Sequence, residues 1–291
     1  MQNLSFNERL LAVHEFPQFQ WKHVTELLRR DHELLLPFTH PHLLPISSTH
    51  RTAWRKYMSE LHFQQRLTRY REQDTGWITY FDDCYPSSLK SIYDAPWVLY
   101  TKGNTELLRD SPRLAVVGSR SMTSYGRAAV EAFLPHGQVQ IVSGLARGVD
   151  GHAHRQALQT GAPAIAVLGS GFGRIYPKEH IALAKNIADA GLLLSEYPPD
   201  RSPRKWHFPA RNRIISGLSD KIFVVEADVN SGSLITASLA LEQGREVCAL
   251  PGPVFSRQSA GTNRLIYDGA LPVLQPEDLL IGGGRGASHN S

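Results

Sequence analysis

Small, hydroxylated and cationic residues gather in four short stretches of this chain. They are Gly118-Ser119-Arg120-Ser121, Ser143-Gly144 with Arg147-Gly148 close behind, Gly169-Ser170-Gly171 with Arg174 and Lys178 to follow, and Ser231-Gly232-Ser233. Glycine lets a backbone turn sharply and bring its N–H groups near an anion, and serine adds hydroxyl donors. A helix opening directly after such a loop adds its positive end, worth ~0.3–1 kcal/mol per exposed charge. With Arg or Lys on one edge, these are the ingredients of a site for phosphate oxygens. Each loop alone also fits ordinary turn and cap chemistry; Ser231 or Ser233 would serve equally as a helix cap.

A fifth stretch has a different texture. Between Arg201 and Arg213 stand Arg201, Arg204, Lys205, Arg211 and Arg213, interleaved with Trp206, Phe208 and Asn212, and no acidic residue occurs from Arg201 through Ser219. Cations beside flat rings suit a single-stranded nucleic acid, whose phosphates attract charge and whose unpaired bases stack. A solvated basic loop is the plainer alternative.

Standard fingerprints for other chemistry fail. The dinucleotide pattern needs glycine where Arg120 and Arg174 stand, and no Gly-Lys-Ser/Thr phosphate loop occurs. There is no G-x-S-x-G elbow and no H-E-x-x-H motif. Asp150 and His154 are spaced to share a helix face, but Asp150 is expected to cap the following helix and His154 to pack beneath the sheet edge. Glu196 and Glu226 close strand-like runs, where they are either catalytic or neutralise nearby Arg. No matched acid and base stand out. His32, His40, His42 and His50 follow no zinc spacing.

The elements that would carry these loops are legible from periodicity. From Pro112 onward, apolar runs at 114–117, 140–142, 164–168, 192–194, 222–225, 247–250 and 272–274 alternate with helical patterns at 127–134, 151–159, 180–190, 234–243 and 263–268. Such alternation predicts a parallel, doubly wound sheet covered on both faces, with ligands outside the carboxyl ends of the strands. Residues 1–75, with apolar residues at helical spacing and Pro37, Pro41 and Pro45 as breakers, predict a small helical domain. Residues 76–111 form a connecting segment packing on the sheet domain, with a short strand expected before Tyr100; 112–281 form that domain, and 282–291 a flexible tail. Among the 291 residues, an apolar fraction of 42%, a net charge of +4 and only two cysteines suit a globular protein of a reducing cytoplasm that leans toward polyanions. No run approaches a membrane span, and the N-terminus carries no secretory pattern.

The motifs together resemble one family. Gly118-Ser-Arg-Ser121, Ser143-Gly-Leu-Ala-Arg-Gly-Val-Asp150, Ala166-Val-Leu-Gly-Ser-Gly171, Tyr176-Pro177, Ser195-Glu196, Phe208-Pro-Ala-Arg-Asn-Arg-Ile-Ile215, Ser231-Gly-Ser-Leu-Ile-Thr-Ala237 and Ala249-Leu-Pro-Gly252 are similar, in order, to those of the DNA-processing protein A (DprA or Smf) family. Tyr85-Pro86 and Asp94-Ala-Pro96 extend the match upstream. The resemblance implies an α/β fold, an extended Rossmann-like parallel sheet preceded by a small all-helical (SAM or helix-hairpin-like) domain. It further implies a non-enzymatic, cofactor-free protein that binds and protects single-stranded DNA and loads the RecA recombinase during natural transformation, acting as a homodimer. By matching motif, the DNA pocket would use Gly118, Ser119, Arg120, Ser143, Gly144, Gly171, Lys178, Arg211, Asn212, Ser231, Gly232 and Ser233. Arg120, Lys178 and Arg211 are the expected phosphate contacts, while Phe172, Trp206 and Phe208 either stack a base or fill the core. Leu265, Ile266, Leu271 and Val273 are the candidate dimer surface.

Two departures accompany the resemblance. Family members often end in a winged-helix-like module, whereas here about ten residues follow the last strand, which puts any activity of that module in doubt. Where a glycine hairpin would grip duplex backbone, this chain has Phe16-Pro-Gln-Phe-Gln20, so no DNA contact is assigned there. The competing reading is a nucleotide-phosphate hydrolase of the lysine-decarboxylase-like Rossmann group. That group's Pro-Gly-Gly-x-Gly-Thr-x-x-Glu motif is matched only by Pro251-Gly252 and a displaced Gly261-Thr262, with no glutamate following.

Overall fold

A computed structural model describes residues 4–281 except 18, 45, 59, 135, 136 and 138. Pro45 and the expected tail at 282–291 lie outside the described residues. Strands β1 to β9 run Gly76–Thr79, Val98–Gly103, Arg113–Val117, Gln140–Ser143, Ala164–Leu168, Leu192–Ser195, Lys221–Val224, Glu246–Ala249 and Leu271–Pro272. They form one sheet in the order β1-β2-β6-β5-β4-β3-β7-β8-β9. Every pair from β6 to β9 is parallel, and β1 and β2 add an antiparallel edge. The segment 76–111 therefore extends the sheet by two strands as well as packing on it.

The apolar runs are strands because both faces of the sheet are covered. Leu114, Val116, Ile141, Ala164, Ala166, Leu168 and Phe223 enter one core, and their neighbours Ala115, Val117, Val142, Ile165, Val167 and Ile222 enter the other. A period of two with apolar residues in both phases is the signature of a doubly buried parallel strand. Burying each such aliphatic side chain contributes ~1.5–3 kcal/mol before conformational entropy is counted.

Helices α1 to α5 (Phe6–Glu15, Trp21–Arg30, Leu36–Thr39, Ser48–Tyr57 and Glu60–Glu72) make up the N-terminal region, and α6 (Ser87–Lys90) sits between β1 and β2. Helices α7 to α12 (Ser124–Phe133, Val149–Thr160, Ile181–Ala190, His207–Leu218, Gly232–Glu242 and Arg257–Tyr267) follow β3 to β8 in turn. Of these, α7, α8 and α9 pack on one face, while α10 and α11 pack on the other. The winding thus reverses between β3 and β7, which leaves a crevice at their carboxyl ends.

The basic stretch divides into loop and turn at 201–206 and, from His207, helix α10. Its inward residues Ile214, Ile215 and Leu218 pack against the sheet, and this burial outweighs the scattered polarity of the sequence around them. The late apolar segment differs from expectation. Val273 is buried in one core with Leu271 packed against it, while Leu265 packs against the core of the other face; the exposed apolar side chains nearby are Tyr267 and Leu274.

The N-terminal helices enclose a third core, which ends on Val98 and Tyr100 of β2. At its centre Glu15 is 6% exposed and accepts hydrogen bonds from the hydroxyls of Tyr57 (3.1 Å), Tyr70 (2.6 Å) and Tyr100 (2.6 Å). Burial, reinforced by that carboxylate, raises all three phenols above their ordinary pKa, so they stay protonated and donate. Phe16 and Phe19 pack on Trp54 with ring centroids 5.1 and 5.7 Å away, so aromatic packing occupies the position of a glycine hairpin.

Candidate nucleic-acid interface

A cleft of about 920 Å³ opens at the switch point between β3 and β7. Its floor is the turn after β3, Gly118 to Ser121; one wall is the first half of α10, and the other is the loop after β7 with the start of α11. Arg257 and Gln258, from the start of α12, close one end.

Each wall is set by local chemistry. Gly118 packs so tightly that a Cβ would meet Val149 of α8 at 2.7 Å. Ser119 accepts the Ser121 N–H on its hydroxyl at 3.0 Å, which curls the turn. Gly148 precedes α8 with φ of 71°, a conformation that only glycine adopts cheaply, and its Cα faces the Ser119 carbonyl. Ser231 caps α11 by accepting the Ser233 N–H at 3.3 Å, with the two hydroxyls 2.7 Å apart. The positive end of α11 therefore opens on the cleft. Both readings of that Ser-Gly-Ser loop, cap and cleft wall, apply at once.

The charges divide into exposed and committed. Arg120 and Lys205 are exposed on the lining, and the Arg120 guanidinium stands 6.0 Å from the centre of the Phe208 ring. Phe208 packs on Gly169 and lies 5.5 Å from Tyr176, so one face of a held aromatic borders the cation. Arg257, by contrast, pairs with Asp228, and that hydrogen bond holds the Asp228 carboxyl below its usual range. Asn212, Asn230 and Gln258 add neutral amide groups to the lining.

Eight of the residues expected to bind DNA line this cleft: Gly118, Ser119, Arg120, Arg211, Asn212, Ser231, Gly232 and Ser233. Arg211 does so mostly as a brace. It is 5% exposed, its Nη1 donates to the carbonyls of Gly144 and Val167, and its Nε donates to Asn212 at 3.2 Å. Burial lowers the Arg211 pKa and raises that of Asp150, while their mutual attraction opposes both shifts. Gly144 lies under the guanidinium, where a Cβ would overlap it, and lines only a small pocket beside the cleft.

Three expected residues stand elsewhere. Ser143 is fully buried and donates to the Val116 carbonyl at 2.6 Å, because it closes a strand inside the sheet. Gly171 is buried under Pro198 and Pro199 and donates to the Arg201 carbonyl at 2.9 Å, so it docks the basic loop instead of facing the cleft. Lys178 is exposed in a helical turn two residues past Tyr176, outside the lining.

The carboxylates also resolve. Asp150 does not cap α8, whose N-cap is Gly148; it lies in the first turn and accepts the Gly144 N–H at 3.1 Å and the Ala146 N–H at 3.4 Å, bracing the second loop. Glu196 does neutralise an arginine, pairing with Arg213 at 2.8 Å, and Asp94 joins at 2.9 Å. Glu226 instead accepts the Thr123 N–H at 2.9 Å and the Thr123 hydroxyl, fixing the start of α7. Of the aromatics, Phe172 is half-buried against the core, Trp206 is exposed beside Arg204, and Phe208 alone lines the cleft. Lys205 enters from the basic stretch, whereas Asn230, Arg257 and Gln258 carry no sequence expectation; helix starts beside the β3/β7 reversal are the signal that points to them.

The family model of DNA recombination-mediator protein A matches residues 76–282. The chain belongs to that family. Among characterised DNA recombination-mediator protein A relatives, the DNA processing protein DprA of Bacillus subtilis is 46% identical over 217 residues, 73% of each chain. DprA of Streptococcus pneumoniae is 48% identical over 201 residues, 68% of this chain and 71% of that one. The crystal structure of the Streptococcus pneumoniae protein superposes with a TM-score of 0.83 at 37% identity, covering 94% of this chain and 96% of that one. A structure of DNA processing protein A from Helicobacter pylori, described for its single-stranded DNA binding mode, gives a TM-score of 0.63 at 32% identity over 69% of this chain and 93% of that one.

Proposed function

We propose that this protein is a non-enzymatic mediator that holds single-stranded DNA along the cleft at the β3/β7 reversal. It protects incoming strands in natural transformation and passes them to the RecA recombinase, working in the cytoplasm as a homodimer. The observation that carries the DNA-binding reading is the joint placement of Arg120, Lys205 and the Phe208 ring across from the capped start of α11. Cations and oriented N–H groups suit the phosphates, and a held ring suits an unpaired base. Backbone contacts of this kind distinguish little between sequences. Membership in a recombination-mediator family and the single-stranded DNA binding described for the Helicobacter pylori relative support the same reading.

Lys178, exposed two residues past the lining residue Tyr176, serves in this reading as an outer phosphate contact. The RecA and dimer roles rest on the family resemblance. A gel-shift titration with single-stranded and duplex oligonucleotides tests the core of the proposal. Preference for the single strand, lost on Arg120→Ala with Lys205→Ala, is expected; equal binding of both, or no effect of the double variant, would overturn it.

A further inference from the structure

A second cavity, of about 420 Å³, lies where α1 and α5 meet the loop before α10. Four arginines line it, Arg66 and Arg69 from α5 and Arg201 and Arg204 from the loop, against two carboxylates, Glu15 and Asp200. Glu15 already accepts three tyrosine hydroxyls. Arg66 is paired with it, Nε to Oε2 at 3.2 Å. The Arg66 guanidinium is held over Tyr57, its carbon 4.1 Å from the ring centre, so it is positioned before any ligand arrives. Arg69 pairs with Asp200 at 2.6 Å, with both side chains about half exposed, a pairing that water screens and an anion can compete with. Four guanidinium groups against two carboxylates give the cavity a surplus of cation, which fits a phosphodiester.

The two cavities share a wall. Lys205 and Phe208 face the main cleft while Arg201 and Arg204 face this one, and between them Trp206 is 62% exposed with the Arg204 guanidinium 5.2 Å from its ring. The loop is held by Gly171 and Gly173, whose N–H groups donate to the carbonyls of Arg201 and Pro199, each at 2.9 Å.

We propose that this cavity is a second phosphate subsite for the same DNA strand, which leaves the main cleft over Arg204 and Trp206 and is gripped by Arg66 and Arg69 of the N-terminal helices. The inference rests on the single-strand reading of the main cleft. It gives the N-terminal region a DNA contact of its own, made by helix side chains and not by a hairpin.

Length dependence separates the two ideas. Binding of oligothymidines of about six and about twenty nucleotides is measured against salt for the wild type and for Arg66→Gln with Arg69→Gln. The short oligonucleotide binds both proteins alike. For the long one the double variant lowers the steepness of log affinity against log salt by about 1.4, at about 0.7 per phosphate. Because Arg66 is mostly buried, Arg69→Ala alone is measured as well; it lowers that steepness by about 0.7 while the unfolding midpoint stays unchanged. If the wild type binds neither length, the reading of the main cleft fails. If it binds both and the variants match it on the long strand, the second subsite fails; if an acidic peptide, and not DNA, loses affinity in the variants, the subsite serves a protein partner and the proposal is overturned.

Discussion

Arg120 and Lys205 differ from Arg213 and Arg257 in what surrounds them. Among the described residues, carboxylates pair with Arg213 and Arg257 but not with Arg120 or Lys205. Cations without a competing acid release counterions when a phosphate binds, so Arg120→Ala should weaken binding to all sequences alike. Arg211 belongs to the other class: replacing it leaves two inner carbonyls without their donor, and Arg211→Met should lower the unfolding midpoint more than Arg120→Ala does. His154 offers a pH test. Burial lowers its pKa from 6.5 to about 3, so the unfolded chain binds a proton in that interval that the folded one excludes. Stability should fall as pH drops from about 6.5 toward 3, and His154→Leu should flatten this fall in denaturant titrations; an unchanged profile would show that other groups set it. Residue types were legible in the sequence here, but burial was not. Ser143 and Gly171 have the composition of phosphate-loop residues, and only the surrounding sheet and the Pro198–Pro199 turn hide them.

At the scale of elements, the strands were legible because apolar residues occupy both phases of the alternation. A short strand near Tyr100 was expected and is β2, but β1 and α10 were not legible. Gly76-Trp-Ile-Thr79 is short and only half apolar, and α10 carries Pro209, Arg211 and Asn212 in its opening turns while its apolar face appears only at its end. The loops depend on how these elements meet. Gly148 joins the second loop to the first, and a Cβ there would collide with the Ser119 carbonyl in a backbone region that costs other residues about 1–3 kcal/mol. Gly148→Ala should therefore lower both the unfolding midpoint and the affinity for single strands, although the residue itself is outside the cleft lining. Intact affinity in a destabilised variant would show that the first loop holds its shape without this contact. Ser231→Ala removes a cap worth ~1 kcal/mol and should weaken binding further than that loss of stability explains, since the capped N–H groups border the cleft.

At the scale of the whole molecule, the helical N-terminal region and the sheet are joined through one buried carboxylate. Glu15 ties Tyr57 and Tyr70 of the helices to Tyr100 of the sheet and faces Arg66. Glu15→Leu strands three hydroxyls and a guanidinium, and removing one partner of a buried pair costs ~3–5 kcal/mol. A large fall in the unfolding midpoint measured by calorimetry is expected. The doubly wound class and the gathering of most phosphate-loop residues at the carboxyl ends of the strands followed from sequence periodicity. The reversal between β3 and β7 did not, because strand order leaves no trace in local pattern. That reversal is what turns separate loops into a single rim. The most direct measurement is therefore the salt dependence of oligothymidine binding in the wild type and in Arg120→Ala. With about four phosphates neutralised, log affinity should fall against log salt with a slope of about −3, and Arg120→Ala should shallow it by about 0.7. A slope near zero, or one that the substitution leaves untouched, would contradict a cationic rim that grips the strand.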